Sequence, residues 1–332
     1  MPSQDTAEPK SPAQIEGRSW RLAVKRAARA FGVDECPDAA ASLTFYAVLA
    51  LVPAVMVAFS VVSLLGRGEE TARIVVDVVG ALAPDASESA IGDVISRIAE
   101  ARLSGILLVF ALALTLWSVA RYVAALGRTM NRIYGVAEGR LVWRLKAEQL
   151  LIALVIIVCV ALAAVLLSIT GGVAEALGET LGLGETALLI WRIVRWPLLA
   201  LIVVVLLAVL YYFAPNVKPA RFRWMSLGAA AALAVLLLAS LGFWVYVSNF
   251  ANYDRIYGAF AGVIIFALWL WIANMAVLVG AEFDAEVERV RQLQADIPAE
   301  TQVQVPLRDA RRIAKNVRRD RKEESRARRI RR

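Results

Sequence analysis

The sequence predicts an all-α fold: a polytopic membrane protein of six transmembrane helices with both termini in the cytoplasm. Three observations carry this expectation. Of the 332 residues, 59% are hydrophobic and the mean hydropathy is +0.62, whereas soluble domains are roughly 45–50% apolar. Six stretches are apolar on every face and long enough to cross a ~30 Å hydrocarbon layer, which takes ~20 helical residues. Basic residues alternate between the loops in the pattern that holds positive charge on the cytoplasmic side.

In chain order, residues 1–38 form a cytoplasmic segment. Its polar start lacks the apolar core of a signal peptide, so the first membrane helix is expected to direct insertion. Arg18, Arg21, Lys25 and Arg29 recur at i, i+3, i+7 and i+11, opposite Trp20, Val24, Ala27 and Phe31, which is the pattern of an amphipathic interfacial helix. Two placements fit it: along the membrane surface on anionic headgroups, or against the cytoplasmic ends of the bundle.

A transmembrane domain at 39–290 follows, with spans at about 41–65, 103–126, 150–173, 196–215, 225–250 and 257–282. Residues 71–102 read as an external helical hairpin broken at Ala83-Pro84, its second arm opening on Asp85 and Glu88 as a capping box. Six basic residues precede the first span, five follow the second, three follow the fourth and fifteen follow the sixth. The opposite loops hold four basic residues outweighed by seven acidic ones, then none, then one. Two halves of three spans would run in opposite orientations, as inverted repeats do, with Pro53 and Pro197 as the corresponding breaks. Residues 291–332 read as a basic, disordered tail.

Charge and composition exclude several functions. The formal net charge of +8 would suggest a nucleic-acid partner in a soluble protein. Residues 308–332 hold 13 basic and 4 acidic side chains, a net +9, which leaves −1 for the rest of the chain. The tail has no aromatic residue to stack bases, so it either binds anionic headgroups or only sets topology, and nucleic acid is not expected as its partner. The chain has no histidine, which removes the commonest general base and metal ligand. Its two cysteines, Cys36 and Cys159, suit neither a disulfide scaffold nor a thiolate metal site. No cofactor motif and no catalytic constellation is present, and nothing in the sequence reports oligomeric state.

Candidate contacts for lipid or anion are the polar groups in or beside the spans, since a charge at mid-bilayer costs ~2.5–3.5 kcal/mol even on the insertion scale. Arg121 stands near the end of the second span, either snorkelling to the interface or facing a polar cavity. Arg192 and Arg195, three apart beside Trp191 and Trp196, lie at the external end of the fourth span, where they either grip an anionic headgroup or anchor the helix at the interface. Asn249, Asn252, Tyr253, Asp254 and Tyr257 cluster at the turn between spans five and six, to satisfy a tight helical hairpin or to line a substrate route. Asn274 reads as an interhelical hydrogen-bond partner. Glu282, followed by Asp284 and Glu286, lies at the cytoplasmic exit, where solvent is expected to hold it.

Several motifs occur in order: Ala40-Ala41-Ser42-Leu43-Thr44-Phe45-Tyr46-Ala47 with Pro53; Leu116-Trp117-Ser118 with Arg121; Asn131-Arg132-Ile133-Tyr134-Gly135-Val136; Tyr246-Val247-Ser248-Asn249-Phe250 with Tyr253 and Tyr257-Gly258; and Gly280-Ala281-Glu282 with Glu286. From about 33 to 290 the chain resembles the YihY/BrkB family of bacterial inner-membrane proteins. Where such proteins have Gly-Ser-Leu-Gly, this chain has Gly258-Ala259-Phe260-Ala261-Gly262 and so lacks that hydroxyl. The resemblance implies a six-span envelope protein linked to envelope integrity, serum resistance and movement of lipid or lipopolysaccharide. Members were formerly mislabelled as ribonuclease BN, and the absence of histidine argues independently against metal-dependent RNA cleavage. The leading expectation is therefore a non-enzymatic protein that moves or organises an envelope lipid. A scaffold docking envelope partners through its basic tail is the alternative, and an RNA-processing enzyme the least supported.

Overall fold

The computed structural model describes residues 17–64, 105–168, 185–218, 226–250 and 261–331. The external hairpin at 71–102 lies outside the described residues. Within them are eight helices: α1 Gly17–Val33, α2 Cys36–Leu64, α3 Gly105–Ile133, α4 Val142–Ser168, α5 Glu185–Phe213, α6 Leu227–Phe250, α7 Ala261–Gln294 and α8 Arg311–Ile330. Six of these, α2 to α7, are long and apolar enough to cross a membrane. Each span packs on the next, and α7 closes the circuit onto α2 and α3.

The dense core is confined to one end of this bundle. It joins Cys36, Ala40 and Leu43 from the start of α2 with Val123, Leu126, Met130 and Ile133 from the end of α3 and Ile152 of α4. Leu210 and Ala214 at the end of α5 and Leu278 to Ala285 of α7 complete it. The other halves of the spans expose Val109, Phe110, Leu189, Ile190, Leu237 and Leu238, which suits apolar side chains turned to lipid. The arginine-rich loops lie at the core end, so charge and packing density share one end.

Three helices stop here by the same device. Gly135, at φ +64, follows α3, with its N–H donating to the Arg132 carbonyl at 2.9 Å and the Val136 N–H to Asn131 at 2.8 Å. This paired pattern is a Schellman cap, and it needs a left-handed residue. At Asp296, φ 58, α7 ends with the same pair: the Asp296 N–H donates to the Leu293 carbonyl at 3.3 Å and the Ile297 N–H to that of Gln292 at 2.9 Å. Glu35, at φ 53, makes the bend between α1 and α2.

Helix α1 packs against α7 and does not lie apart on the surface. Ala23 joins Val287 and Val290, Trp20 stacks on Phe283 at 6.0 Å, and the Arg26 Nε donates to Glu286 at 3.0 Å. The buried line is Trp20, Ala23 and Ala27, while Val24 is exposed. Trp20 and Ala27 thus face inward as the sequence pattern expects, while Ala23 takes the place expected of Val24, because a close helix contact selects alanine over the larger valine.

Where α6 crosses α7 the backbones meet. A Cβ on Gly280 would strike the carbonyl of Gly228, the hydroxyl of Tyr211 and the Cβ of Ala232. The Gly228 N–H donates to Asp284 Oδ1 at 2.6 Å, which places a carboxylate on the positive end of α6. Gly280→Ala is expected to destabilise the bundle by ~1–3 kcal/mol through overpacking, whereas Gly242→Ala, whose Cβ would meet open space, should not. Thermal unfolding in one detergent compares the two.

The tail differs from the disordered segment expected from 291. Helix α7 runs to Gln294, and residues 295–310 then lie as a strap across the core end, with Ala299 and Val303 buried. An antiparallel bridge joins Val217 to Leu307, and the Lys218 N–H donates to Pro306 at 2.8 Å and the Arg308 N–H to Asn216 at 3.1 Å. The few apolar residues of this stretch gave no periodic signal, yet its backbone polar groups find partners in the α5–α6 connection. Helix α8 follows with no buried residue.

Candidate functional site

Helix α3 carries the feature that bears most directly on function. Its apolar stretch runs Leu108–Ile133, past the expected end at 126, because Met130 and Ile133 face the core. Arg121 therefore stands at the midpoint of the span and not near its end. Trp117, Arg121, Arg128 and Arg132, at i, i+4, i+11 and i+15, fall on one helix face, and all four are exposed. From Arg121 to Arg132 the helix rises ~16 Å, about half the hydrocarbon thickness. A line of guanidinium groups thus leads from mid-span to the core end.

The surroundings fix this line in place. Tyr122, one residue on, points inward and donates to Asn274 Oδ1 at 2.8 Å, and Asn274 Nδ2 donates to Thr44 Oγ1 at 3.1 Å. Thr44 passes its own proton to the Ala40 carbonyl at 2.8 Å. This bond chain ties α3, α7 and α2, sets the rotation of α3 and so holds Arg121 outward. The Arg121 guanidinium sits 5.8 Å from the Tyr46 ring centre and 5.7 Å from that of Trp117. Among the described residues no carboxylate pairs with Arg121 or Arg128. Arg132 donates to the Asp34 carbonyl at 3.0 Å and to Glu35 at 3.2 Å.

The remaining candidates do not converge on this face. Arg192 and Arg195 lie in the first turns of α5, far from the place where Gly127 of α3 meets the Ala214 carbonyl beyond the end of α5. Arg192 is exposed, and Arg195 is half-buried with its guanidinium 5.2 Å from the Trp196 ring centre. Asn249 belongs to the last turn of α6, its side chain outside the described residues, as are Asn252, Tyr253, Asp254 and Tyr257. Asn274 is buried in the hydrogen-bond chain above. Glu282 corrects the sequence reading: it is 2% exposed and accepts from the Cys36 thiol at 3.5 Å. The bend after α1 covers the position that the sequence left open to solvent.

A second polar assembly clamps the core end. Arg140, 2% exposed, donates through Nε and a terminal nitrogen to Glu138 at 2.9 and 2.8 Å, and to Glu148 at 2.9 Å. It also donates to the carbonyls of Phe213 and Ala214 at 3.1 and 2.8 Å. All five N–H groups are used, and the cation sits at the negative end of α5. Asn216, fully buried, donates to the carbonyls of Ala137 and Asp309 at 3.0 and 2.9 Å, and its backbone N–H donates to Asn131 Oδ1 at 2.7 Å. Arg308 lies 4.9 Å from the Tyr212 ring centre and 5.5 Å from that of Phe213.

Electrostatics follow from these contacts. Burial pushes the Glu138 carboxyl up, but hydrogen bonds from the Arg140 side chain and backbone outweigh it and hold the group below its ordinary value. Burial lowers the Arg308 guanidinium, and the neighbouring Arg140 adds to that. The Asp309 carboxyl, its side chain 9% exposed, is held at about 2 by hydrogen bonds from Arg311. A carboxylate with a depressed folded value contributes stability above its unfolded pKa and loses it as pH falls through the folded one. The Arg311–Asp309 pair is therefore expected to hold at neutral pH and to be lost as the pH falls from about 4 to 2. Hydrogen exchange of the Arg311 amide, which donates to Asp309 Oδ1 at 2.9 Å, corrected for intrinsic rate, follows the loss.

Arg128, Arg132, Tyr46 and Arg140 are not among the site candidates named from sequence, although Tyr46 and Arg132 fall within its motifs. The first two were counted as loop charges, although their i+7 and i+11 spacing from Arg121 could have placed them on its face.

Comparison with known proteins agrees with this architecture. The model of a family described as the virulence factor BrkB matches residues 27–304. A putative ribonuclease-like protein, YfkH, of Bacillus subtilis (strain 168) is 27% identical over 81% of this chain and 96% of its own length. The UPF0761 membrane protein azo3165 of Azoarcus sp. (strain BH72) is 29% identical over 81% of this chain and 64% of its own length. The UPF0761 membrane protein RC1_0578 of Rhodospirillum centenum (strain ATCC 51521 / SW) is 30% identical over 76% and 54% respectively. The chain thus spans nearly all of the Bacillus relative and less than two thirds of these UPF0761 proteins. No solved structure matches it. Six apolar helices and relatives named as membrane proteins make it a multi-pass inner-membrane protein.

Proposed function

We propose that this chain, which belongs to the family of the virulence factor BrkB, moves anionic envelope lipid along the arginine face of α3 and so supports envelope integrity. The observation that carries this reading is Arg121, exposed at the midpoint of an apolar span beside Tyr46 and Trp117. A mid-bilayer charge costs ~2.5–3.5 kcal/mol on the insertion scale, and exposed cation–π contacts return only ~0.5–1 kcal/mol each. A phosphate passing along the face supplies a charge-assisted partner that offsets the remainder. Arg128 and Arg132 extend that partnership towards the core end, which the distribution of basic residues assigns to the cytoplasm.

The reading involves no covalent step. Among the described residues no group of three or more acidic, cysteine or histidine side chains is placed to hold a metal. Purified protein in proteoliposomes should accelerate transbilayer movement of fluorescent phosphatidylglycerol more than that of the phosphatidylcholine analogue. No acceleration by correctly folded wild type would overturn the reading.

A further inference from the structure

Helix α8 was read from sequence as part of a disordered tail, and its structure gives it a directional charge pattern. Arg311, Lys315, Arg318, Lys322, Arg326 and Arg329 recur at i, i+4, i+7, i+11, i+15 and i+18. At 100° per residue they fall within an arc of roughly 80°. Asp320, Glu323 and Glu324 lie on the opposite side. No residue of the helix is buried; Arg311 pairs with Asp309 at 2.7 Å, and from Lys315 onward the cationic face is covered by nothing else in the described chain. The line of charges is ~27 Å long, the shape of a contact with a flat, extended anion.

Its place narrows the partner. The Arg312 N–H donates to the Gly139 carbonyl at 2.9 Å, and Gly139 lies so close to the Asp309 carbonyl that no side chain fits between them. Gly139 stands three residues before Val142, where the apolar span of α4 begins. Beside it, Trp143 is exposed, with the Arg144 guanidinium 5.6 Å from its ring centre, a pairing typical of the headgroup layer. Helix α8 therefore starts at the depth of the headgroups, held there by the strap. It carries no aromatic residue on which bases would stack.

We infer that α8 is a docking surface for anionic phospholipid headgroups, laid on the membrane with its arginine and lysine face down and its acidic side outward. Headgroup attraction of this kind acts within a Debye length, and the strap holds the start of α8 beside the first residues of the α4 span. The inference is independent of lipid movement, since docking needs only the fixed helix.

The test uses full-length protein in nanodiscs of phosphatidylcholine alone or of phosphatidylcholine and phosphatidylglycerol at 3:1, with hydrogen exchange of residues 311–330 as the readout. Exchange should slow by about tenfold or more in the anionic discs and recover in 0.5 M salt. Lys315→Glu/Arg318→Glu/Lys322→Glu should abolish the protection, and Glu323→Lys/Glu324→Lys should keep it. Equal exchange in both discs overturns the inference, as does protection that salt does not relieve. Protection in neutral discs by inorganic phosphate alone, or stronger protection by duplex DNA or RNA than by anionic discs, would overturn it in favour of those ligands.

Discussion

Arg140→Ala is expected to cost ~3–5 kcal/mol of stability, the usual loss when one partner of a buried ion pair is removed. The five donors of Arg140 serve Glu138, Glu148 and the carbonyls of Phe213 and Ala214. Its removal leaves two carboxylates and two carbonyls at the end of α5 facing one another across the junction that holds α3, α4 and α5. Arg140→Lys should recover only part of the loss, because an ammonium keeps the charge but has three donors and no planar fork. Replacing Arg140 together with the less exposed of its two carboxylates, as Glu138→Gln/Arg140→Met, should be milder than Arg140→Ala alone, since only the half-exposed Glu148 is then left unpaired. Thermal unfolding of the four proteins in one detergent orders them. An Arg140→Ala variant as stable as wild type would contradict the account of this junction.

Arg121 is expected to show the reverse balance between stability and function. Arg121→Ala should slow phosphatidylglycerol movement by about 10- to 100-fold, the equivalent of losing one charge-assisted hydrogen bond of ~1.5–3 kcal/mol. Arg121→Leu should slow it equally while leaving the protein as stable as wild type or more so, because the replacement removes a charge from mid-span. Arg121→Lys should retain part of the rate, the positive charge without the bidentate fork. Arg128→Ala and Arg132→Ala should each have smaller effects, since Arg132 already donates to Asp34 and Glu35 and both lie nearer water. A merely structural role for Arg121 would predict that loss of rate and loss of stability run together across these variants.

The spans were legible because each is apolar on every face, a signal that does not depend on how the helices pack. Their ends were less so. The second span was ended at 126, before Arg128, whereas packing of Met130 and Ile133 against the core extends the helix to Ile133. That shift places Arg121 at the midpoint of the apolar stretch and not near its end. On α1 the sequence pattern places Trp20 and Ala27 inward but misses Ala23, since the hydrophobic scale favours Val24 while the α7 contact needs the smaller residue. Glu282 looked solvated because nothing local announces that the α1–α2 bend covers it. The strap was invisible for a related reason: Asn216 and Arg308 are polar residues buried by contacts across more than ninety positions, and no periodicity records such a pairing. Asn274 was legible as an interhelical bond because an isolated amide within an apolar span has few other uses.

Where the headgroup of a moving lipid touches the protein decides the central claim. A phosphatidylglycerol analogue with a photoreactive group on its headgroup, reconstituted with wild-type protein and irradiated, should label the face of α3 that carries Trp117, Arg121 and Arg128. It should also label α2 near Tyr46, and Arg121→Ala should lose the mid-span adducts. Adducts confined to the two membrane surfaces, with none near Arg121 in protein that moves lipid, would contradict it.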